Sequence, residues 1–308
     1  MIESGVGLII GGALLLWALR GFEWEGFIEV VRREGDWLTV GGLCMIAAHA
    51  LRSWRWQLML DSTGIPHVPL VASWWALMVG YLVNLALPRM GELIRCTLLW
   101  RWQTTPFAVS IGTVVAERLI DIFTLLLLML IVVGVEGPQW IELLGFRASH
   151  LPYFVGGLAL VGVGVWVSWR LFLRKRAAGW LEAGLQGFKS LWQTRPRWLM
   201  ASLSLFIWLG YWLAIWSVMR ACTSGASQAE GWNAWVLLVG SGIAMALPVP
   251  GGIGTFHVIG LLLLTSQGWP ASLAQVTVFT AHALQTFLIL LLGSMGLIWG
   301  SWYQLRAR

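Results

Sequence analysis

The sequence predicts an all-α, polytopic membrane protein made of two related halves, and three observations carry that prediction. First, 58% of its 308 residues are hydrophobic and only 11% are charged. A soluble chain of this length needs far more polar surface, so its solvent is lipid. Second, several apolar runs reach the length of a bilayer core, which calls for many crossings rather than one anchor. Third, Trp75–Gly91 recurs without a gap at Trp235–Gly251, with eight identities in seventeen positions. These are Trp75/Trp235, Leu77/Leu237, Val79/Val239, Gly80/Gly240, Ala86/Ala246, Leu87/Leu247, Pro88/Pro248 and Gly91/Gly251.

Full spans are predicted over 5–20, 37–58, 107–133, 151–169, 198–219 and 272–300, six in all. The first run lacks the basic start and small-residue cleavage site of a secretory signal, so it reads as a retained helix. Two further segments, near 70–101 and 232–267, are apolar but cut by proline and glycine. Paired interruptions in two halves are the best sequence pointer to a transport site. After the second cut, Thr255 to Gln267 gives thirteen residues, roughly 20 Å of helix against a ~30 Å core. The cut segments are therefore read as re-entrant hairpins. The chain is a single transmembrane domain over 1–308, an inverted-topology repeat with halves at 1–133 and 151–300.

Loop charge sets the orientation. Residues 170–197 carry seven basic side chains against Glu182 alone, which places that loop in the cytoplasm. It is expected to lie at the interface as an amphipathic helix. Residues 21–36 carry five acids and two bases and suit the outside. Counting spans puts both termini, Arg52, Arg55 and residues 88–104 on the cytoplasmic side. The first hairpin then opens from the cytoplasm and the second from outside. The 23 tryptophans suit interfacial helix ends, and Cys44, Cys96 and Cys222 have no metal-type spacing.

Three constellations could carry chemistry. Pro88 ends one helix and can open the next, leaving free amides and a partial positive charge beside Arg89, Gly91, Glu92 and Arg95. That setting suits a phosphate, with Glu92 one turn before Arg95 to hold it. At the second cut, Pro248 and Pro250 precede Gly251, Gly252 and Gly254, whose missing side chains let a headgroup or another helix approach the backbone. His257 follows, either to meet a headgroup or proton or to satisfy a buried carbonyl. Between the cuts, Glu117, Arg118 and Asp121 sit in an apolar run, about 15 Å past its start at Phe107. Each such charge costs about 2.5–3.5 kcal/mol at a span's centre, so a structural clamp or a polar seat must compensate it. His49, His67, His150, His282 and Asn84 are weak signals taken singly. No catalytic motif, nucleotide loop or histidine pair at metal spacing occurs, so no enzyme activity, cofactor or metal is expected.

With these three motifs in order, the chain resembles the lysylphosphatidylglycerol synthase transmembrane, or flippase-like, domain family over nearly its whole length. That resemblance implies lipid translocation. Two features depart from the family pattern: many members carry glutamate where His257 stands, and the sequence to Arg308 holds no soluble aminoacyl-transfer domain. The expected function is a lipid flippase or scramblase in a bacterial cytoplasmic (inner) membrane; the alternative is a membrane enzyme or accessory subunit of lipid or glycan synthesis. Expected partners are anionic or zwitterionic phospholipid or polyprenyl-phosphate-linked lipid, with a homodimer allowed and no nucleic acid.

Overall fold

A computed structural model describes residues 2–136, 178–194, 196–223 and 230–306; the predicted span at 151–169 lies outside these described residues. The described chain is helical throughout. Its helices are α1 (Ile2–Ala18), α2 (Trp24–Arg33), α3 (Gly35–Asp61), α4 (Leu70–Ala86), α5 (Met90–Gln103), α6 (Phe107–Glu136), α7 (Ala178–Gln193), α8 (Arg197–Cys222), α9 (Gly231–Ala246), α10 (Thr255–Ser266) and α11 (Ala271–Arg306). A 3-10 turn, Pro250–Gly252, separates α9 from α10.

Among the described residues, three helices, α6, α8 and α11, are long and apolar enough to cross a membrane on length and composition. They cover the predicted spans at 107–133, 198–219 and 272–300. Predicted span 37–58 forms the 27-residue α3, and 5–20 forms the shorter α1. On α6, Leu119, Ile122, Phe123, Leu126, Leu127, Leu130 and Ile131 are exposed large hydrophobics. A continuous apolar face of this kind is stable only against lipid acyl chains. The chain is an all-α polytopic membrane protein.

Each interrupted segment folds as a helical hairpin. At 1.5 Å per residue, α4 and α5 measure about 25 and 21 Å, and α9 and α10 about 24 and 18 Å. By the same rise α6 is about 45 Å long. The hairpins open toward opposite ends of the molecule. At one end, Gln103 at the close of α5 donates to the Tyr303 hydroxyl on α11 at 3.0 Å. At the other, Glu136 at the end of α6 accepts from the indole N–H of Trp232 on α9 and from Gln267 Nε2 past α10, the latter at 2.7 Å.

Helices from early and late in the chain interleave. Helix α4 lies along α11, where Gly293 approaches Met78 and Leu82, while α9 lies along α6, where Gly242 meets Leu125. Helices α3 and α8 pack against each other between these pairs, with Gly210 against Ala48 and Gly41 against Ala214. Helix α7, in the basic loop, docks beside the start of α6 and the end of α3. Gln186 Nε2 donates to the Thr63 carbonyl at 2.6 Å, and Thr194 Oγ1 donates to Ser62 Oγ at 2.9 Å.

The tips of the hairpins touch each other, with Leu87, Arg89, Ala246 and Leu247 exposed at the contact. Leu87-Pro88-Arg89-Met90 closes as a turn through Met90 N–H to Leu87 O at 3.2 Å, with Arg89 at φ 64°. Proline second and a positive φ third is type II geometry, a position that favours glycine. Arg89 Nη2 donates to the Ala246 carbonyl at the end of α9, at 2.8 Å. Gly251 of the second tip packs against Leu85 of the first hairpin. Within the first hairpin, Gly91 lies so close to Gly80 that a Cβ on Gly91 would strike the Gly80 carbonyl oxygen.

Replacing Gly91 with valine is therefore expected to destabilise the protein by about 1–3 kcal/mol through overpacking. Gly134→Ala, where an added Cβ meets open space, serves as the control. Thermal unfolding in detergent micelles tests this, and equal midpoints for both variants would sink it.

Candidate functional site

The charged residues of the apolar interior gather into one cluster. Glu117 and Asp121, one turn apart on α6, lie on the face that meets α3, α5 and α8. Glu117 is fully buried. Its Oε1 accepts from Arg52 Nε at 2.8 Å, and its Oε2 lies 2.8 Å from Arg95 Nη2. Asp121 Oδ1 accepts from Arg55 Nη2 at 2.6 Å, and Oδ2 accepts from Arg52 Nη2. Arg118 Nη2 is 3.3 Å from Glu117 Oε1, and its Nη1 is 3.8 Å from Asp121 Oδ2. Two carboxylates thus hold four guanidiniums from three helices.

Neutral polar groups complete the shell. Arg55 Nη1 donates to Ser204 Oγ at 2.9 Å, and Arg52 Nη1 donates to the Tyr211 hydroxyl at 3.4 Å. The Tyr211 hydroxyl lies 3.2 Å from His49 Nδ1, and the His49 ring packs on Tyr81 with centroids 5.0 Å apart. The Arg95 guanidinium sits 4.4 Å over the Trp56 ring, and Trp56 is held by its indole N–H to Thr113 Oγ1 at 3.0 Å. The ring face attracts a cation and replaces part of the hydration that Arg95 has lost.

Donors remain after these pairings. Arg95 is 2% exposed, yet its Nε and Nη1 have no hydrogen-bond partner, and neither do Arg55 Nε and Arg118 Nε. Arg118 is the accessible member, with 38% of its side chain exposed. Arg95 and Arg118 border a crevice between α4, α5 and α6, too tight for a water molecule, together with Tyr81, Asn84 and Glu92. Buried guanidinium N–H groups without acceptors are costly, and an anion with several oxygens would satisfy them.

The structure therefore joins Arg95, Glu117, Arg118 and Asp121, with Glu92 at the cleft wall. Glu92 does not hold Arg95: among the described residues the partner of Arg95 is Glu117, and Glu92 Oε2 is buried without a partner. The helical spacing is satisfied either way, but Arg95 points across to α6 rather than back along its own helix. Arg89 lies apart and spends its guanidinium on the second tip. Span counting treats Arg52 and Arg55 as cytoplasmic-side charges. The structure buries both within α3, where they face the α6 acids. Their spacing of three, on the face that also carries His49, is the signal that could have found them.

At the second tip, Gly251, Gly252 and Gly254 are buried at φ 59°, 70° and 82°. Their missing side chains admit the protein itself: Leu85 at Gly251, Met245 at Gly252, and Gly11 and Leu14 of α1 at Gly254. His257 Nδ1 accepts the Gly254 N–H at 3.3 Å and so closes the start of α10. It is His282, 2.9 Å from the Gly251 oxygen through Nε2, that serves a carbonyl there. The two imidazoles pack together with centroids 4.7 Å apart. Pro250 opens the 3-10 turn, while Pro248 is exposed beside Ala246 and Leu247.

The sequence model of the family described as the lysylphosphatidylglycerol synthase TM region matches residues 5–293. The chain belongs to this family. No curated protein and no solved structure matches it. The matched range takes in every residue of the cluster and both hairpins and gives them a membrane, lipid-related context.

Glu117→Gln would leave four guanidiniums facing a single carboxylate. Breaking a buried pair in this way costs about 3–5 kcal/mol. A fall of that size in unfolding free energy is expected in micelles, whereas a loss under about 1 kcal/mol would show that Glu117 does not hold the cluster together.

Proposed function

We propose that this protein is a flippase or scramblase that carries a phosphate-bearing lipid, a phospholipid or polyprenyl-phosphate-linked lipid, between the leaflets of a bacterial cytoplasmic membrane. The observation that carries this reading is the set of buried guanidinium N–H groups without acceptors on Arg95 and on the partly exposed Arg118. A lipid phosphate supplies anionic oxygens to those donors. Its acyl chains can stay in the bilayer along the exposed apolar face of α6, where Leu119, Ile122 and Phe123 flank Arg118 and Asp121.

The two hairpins supply the alternation. Their half-lengths suit re-entrant segments that enter and leave on one side, and their opposite openings suit an inverted repeat. With α7 in the basic, cytoplasmic loop, the first hairpin opens inward and the second outward, and both termini are cytoplasmic. The contact from Arg89 to Ala246 and the packing of Gly251 on Leu85 close the path between them. Rocking one half against the other parts these tip contacts and shifts the packing of α3 on α8, α4 on α11 and α6 on α9, while the ion pairs among α3, α5 and α6 stay intact. Backbone at the tips tolerates membrane depth because protein and polar groups surround it. Nothing gathered at the cluster resembles a nucleophile with its base, so the reading is transport rather than chemistry on the lipid.

Reconstituted protein is expected to move fluorescent phospholipid or polyprenyl phosphate between liposome leaflets, measured by quenching of the outer leaflet. Arg118→Ala removes a charged hydrogen bond of roughly 1.5–3 kcal/mol, so transport should fall about tenfold or more. Wild-type transport by that variant would remove Arg118 from the site, and an inert wild-type protein would defeat the transport reading itself.

A further inference from the structure

Helix α2 is apolar over more of its surface than the protein covers. At about 100° per residue, Val30, Phe27, Val31, Trp24 and Ile28 follow one another around the helix and span an arc of roughly 160°. The edge at Val30 and Phe27 meets the protein: Val30 is buried, and the Phe27 ring packs against Phe279 of α11 with centroids 5.2 Å apart. The rest of the arc is bare, with Trp24 54%, Ile28 45% and Val31 48% exposed. Glu25, Glu29, Arg32 and Arg33 occupy the opposite side, all exposed, and Arg33 pairs with Glu29 at 3.0 Å. The helix therefore needs three surroundings at once: protein on one flank, an apolar medium on the next and water on the third.

A helix lying in the surface of a bilayer has those three surroundings. The chain holds α2 at that depth. Five residues join it to α1, where Leu16 is exposed, and Glu34 alone joins it to α3, where Val40 and Leu43 are exposed. Such apolar faces on neighbouring helices are in contact with acyl chains. Gln275 Nε2 of α11 donates to the carbonyls of Ala18 and Arg20 at 3.0 and 3.1 Å, which sets α2 beside the start of α11, just past the second hairpin. Trp24 opens the helix, and an indole suits the headgroup layer. The two acids and two bases of α2 cancel, so its charge does not draw it to anionic lipid.

We infer that α2 is an interfacial anchor whose stripe of Trp24, Ile28 and Val31 docks into the boundary between headgroups and acyl chains, in the leaflet at the mouth of the second hairpin. The partner is the lipid surface itself, held by apolar insertion and without preference for anionic headgroups. The anchor pins the end of the molecule where α1, α3 and α11 meet, and it does so whatever the protein carries.

The test uses the full chain in dioleoyl phosphatidylcholine nanodiscs, with Cys44, Cys96 and Cys222 replaced by alanine and a nitrobenzoxadiazole label on Ile28→Cys. Phosphatidylcholines brominated near the glycerol end or near the chain terminus are the quenchers. Insertion by about 5–10 Å predicts that shallow bromines quench the label about twofold or more and deep ones far less. A label on the polar side, at Glu25→Cys, should stay unquenched, and one at Leu126→Cys, midway along α6, should answer to the deep bromines. Adding phosphatidylglycerol should change none of this. An unquenched label at Ile28→Cys would overturn the inference, and its emission then separates the rivals: red-shifted light puts the stripe in water, and blue-shifted light puts it under another protein surface. Quenching that requires phosphatidylglycerol would overturn it too, since charge would then be the attraction. Should the cysteine-free chain not fold, the labels go onto the chain with its native cysteines, the signal of the labelled wild type is subtracted, and the same outcomes decide.

Discussion

Everything else in this molecule depends on the cost of holding charge away from water. Glu117 has no solvent exposure and reaches three helices through Arg52, Arg95 and its neighbour Arg118. Removing any partner strands the others in a low-dielectric interior, so the cluster behaves as a unit. It fixes the relation of α3, α5 and α6 in a way that apolar packing alone would not, because acyl chains compete equally well for apolar helix faces. Even so, buried N–H groups of Arg55, Arg95 and Arg118 remain without acceptors.

The interrupted hairpins answer a second constraint. Broken helices expose backbone amides and carbonyls that lipid cannot satisfy. Here four such groups have side-chain partners: Asn84 for Gly91, His257 for Gly254, His282 for Gly251 and Arg89 for Ala246. The two hairpins thus share a backbone plan and differ in chemistry. The first tip sits beside the ion cluster through Arg95, and the second is a glycine fold packed by α1, Met245 and Leu85. Arg89, held at a positive φ with its side chain across the boundary, is where the two plans touch.

Much of this was legible in the chain. The lipid environment, the helical class, the two hairpins and the α6 charges followed from composition, apolar length, proline and the repeat. Glu117, Arg118 and Asp121 stood out because ions in an apolar run demand an explanation. Their partners were harder to see. Arg52 and Arg55 lie near the end of a less apolar helix, where basic residues commonly mark topology, and no linear pattern separates that role from an inward-facing ion pair. Arg89, Glu92 and Arg95 read as one phosphate motif because they are close in sequence. Their side chains part company in space, to Ala246, the cleft wall and Glu117.

The sequence by itself determined what must be buried, what must break and how often, because hydrophobicity, helix periodicity and the missing N–H of proline act locally. Only the tertiary structure decided which charges pair, which glycines are filled by protein and which donors remain unpartnered. Those outcomes depend on where side chains from helices 60 to 160 residues apart converge, as Arg52 meets Asp121 and Arg89 meets Ala246, and no local rule encodes a distance of that kind.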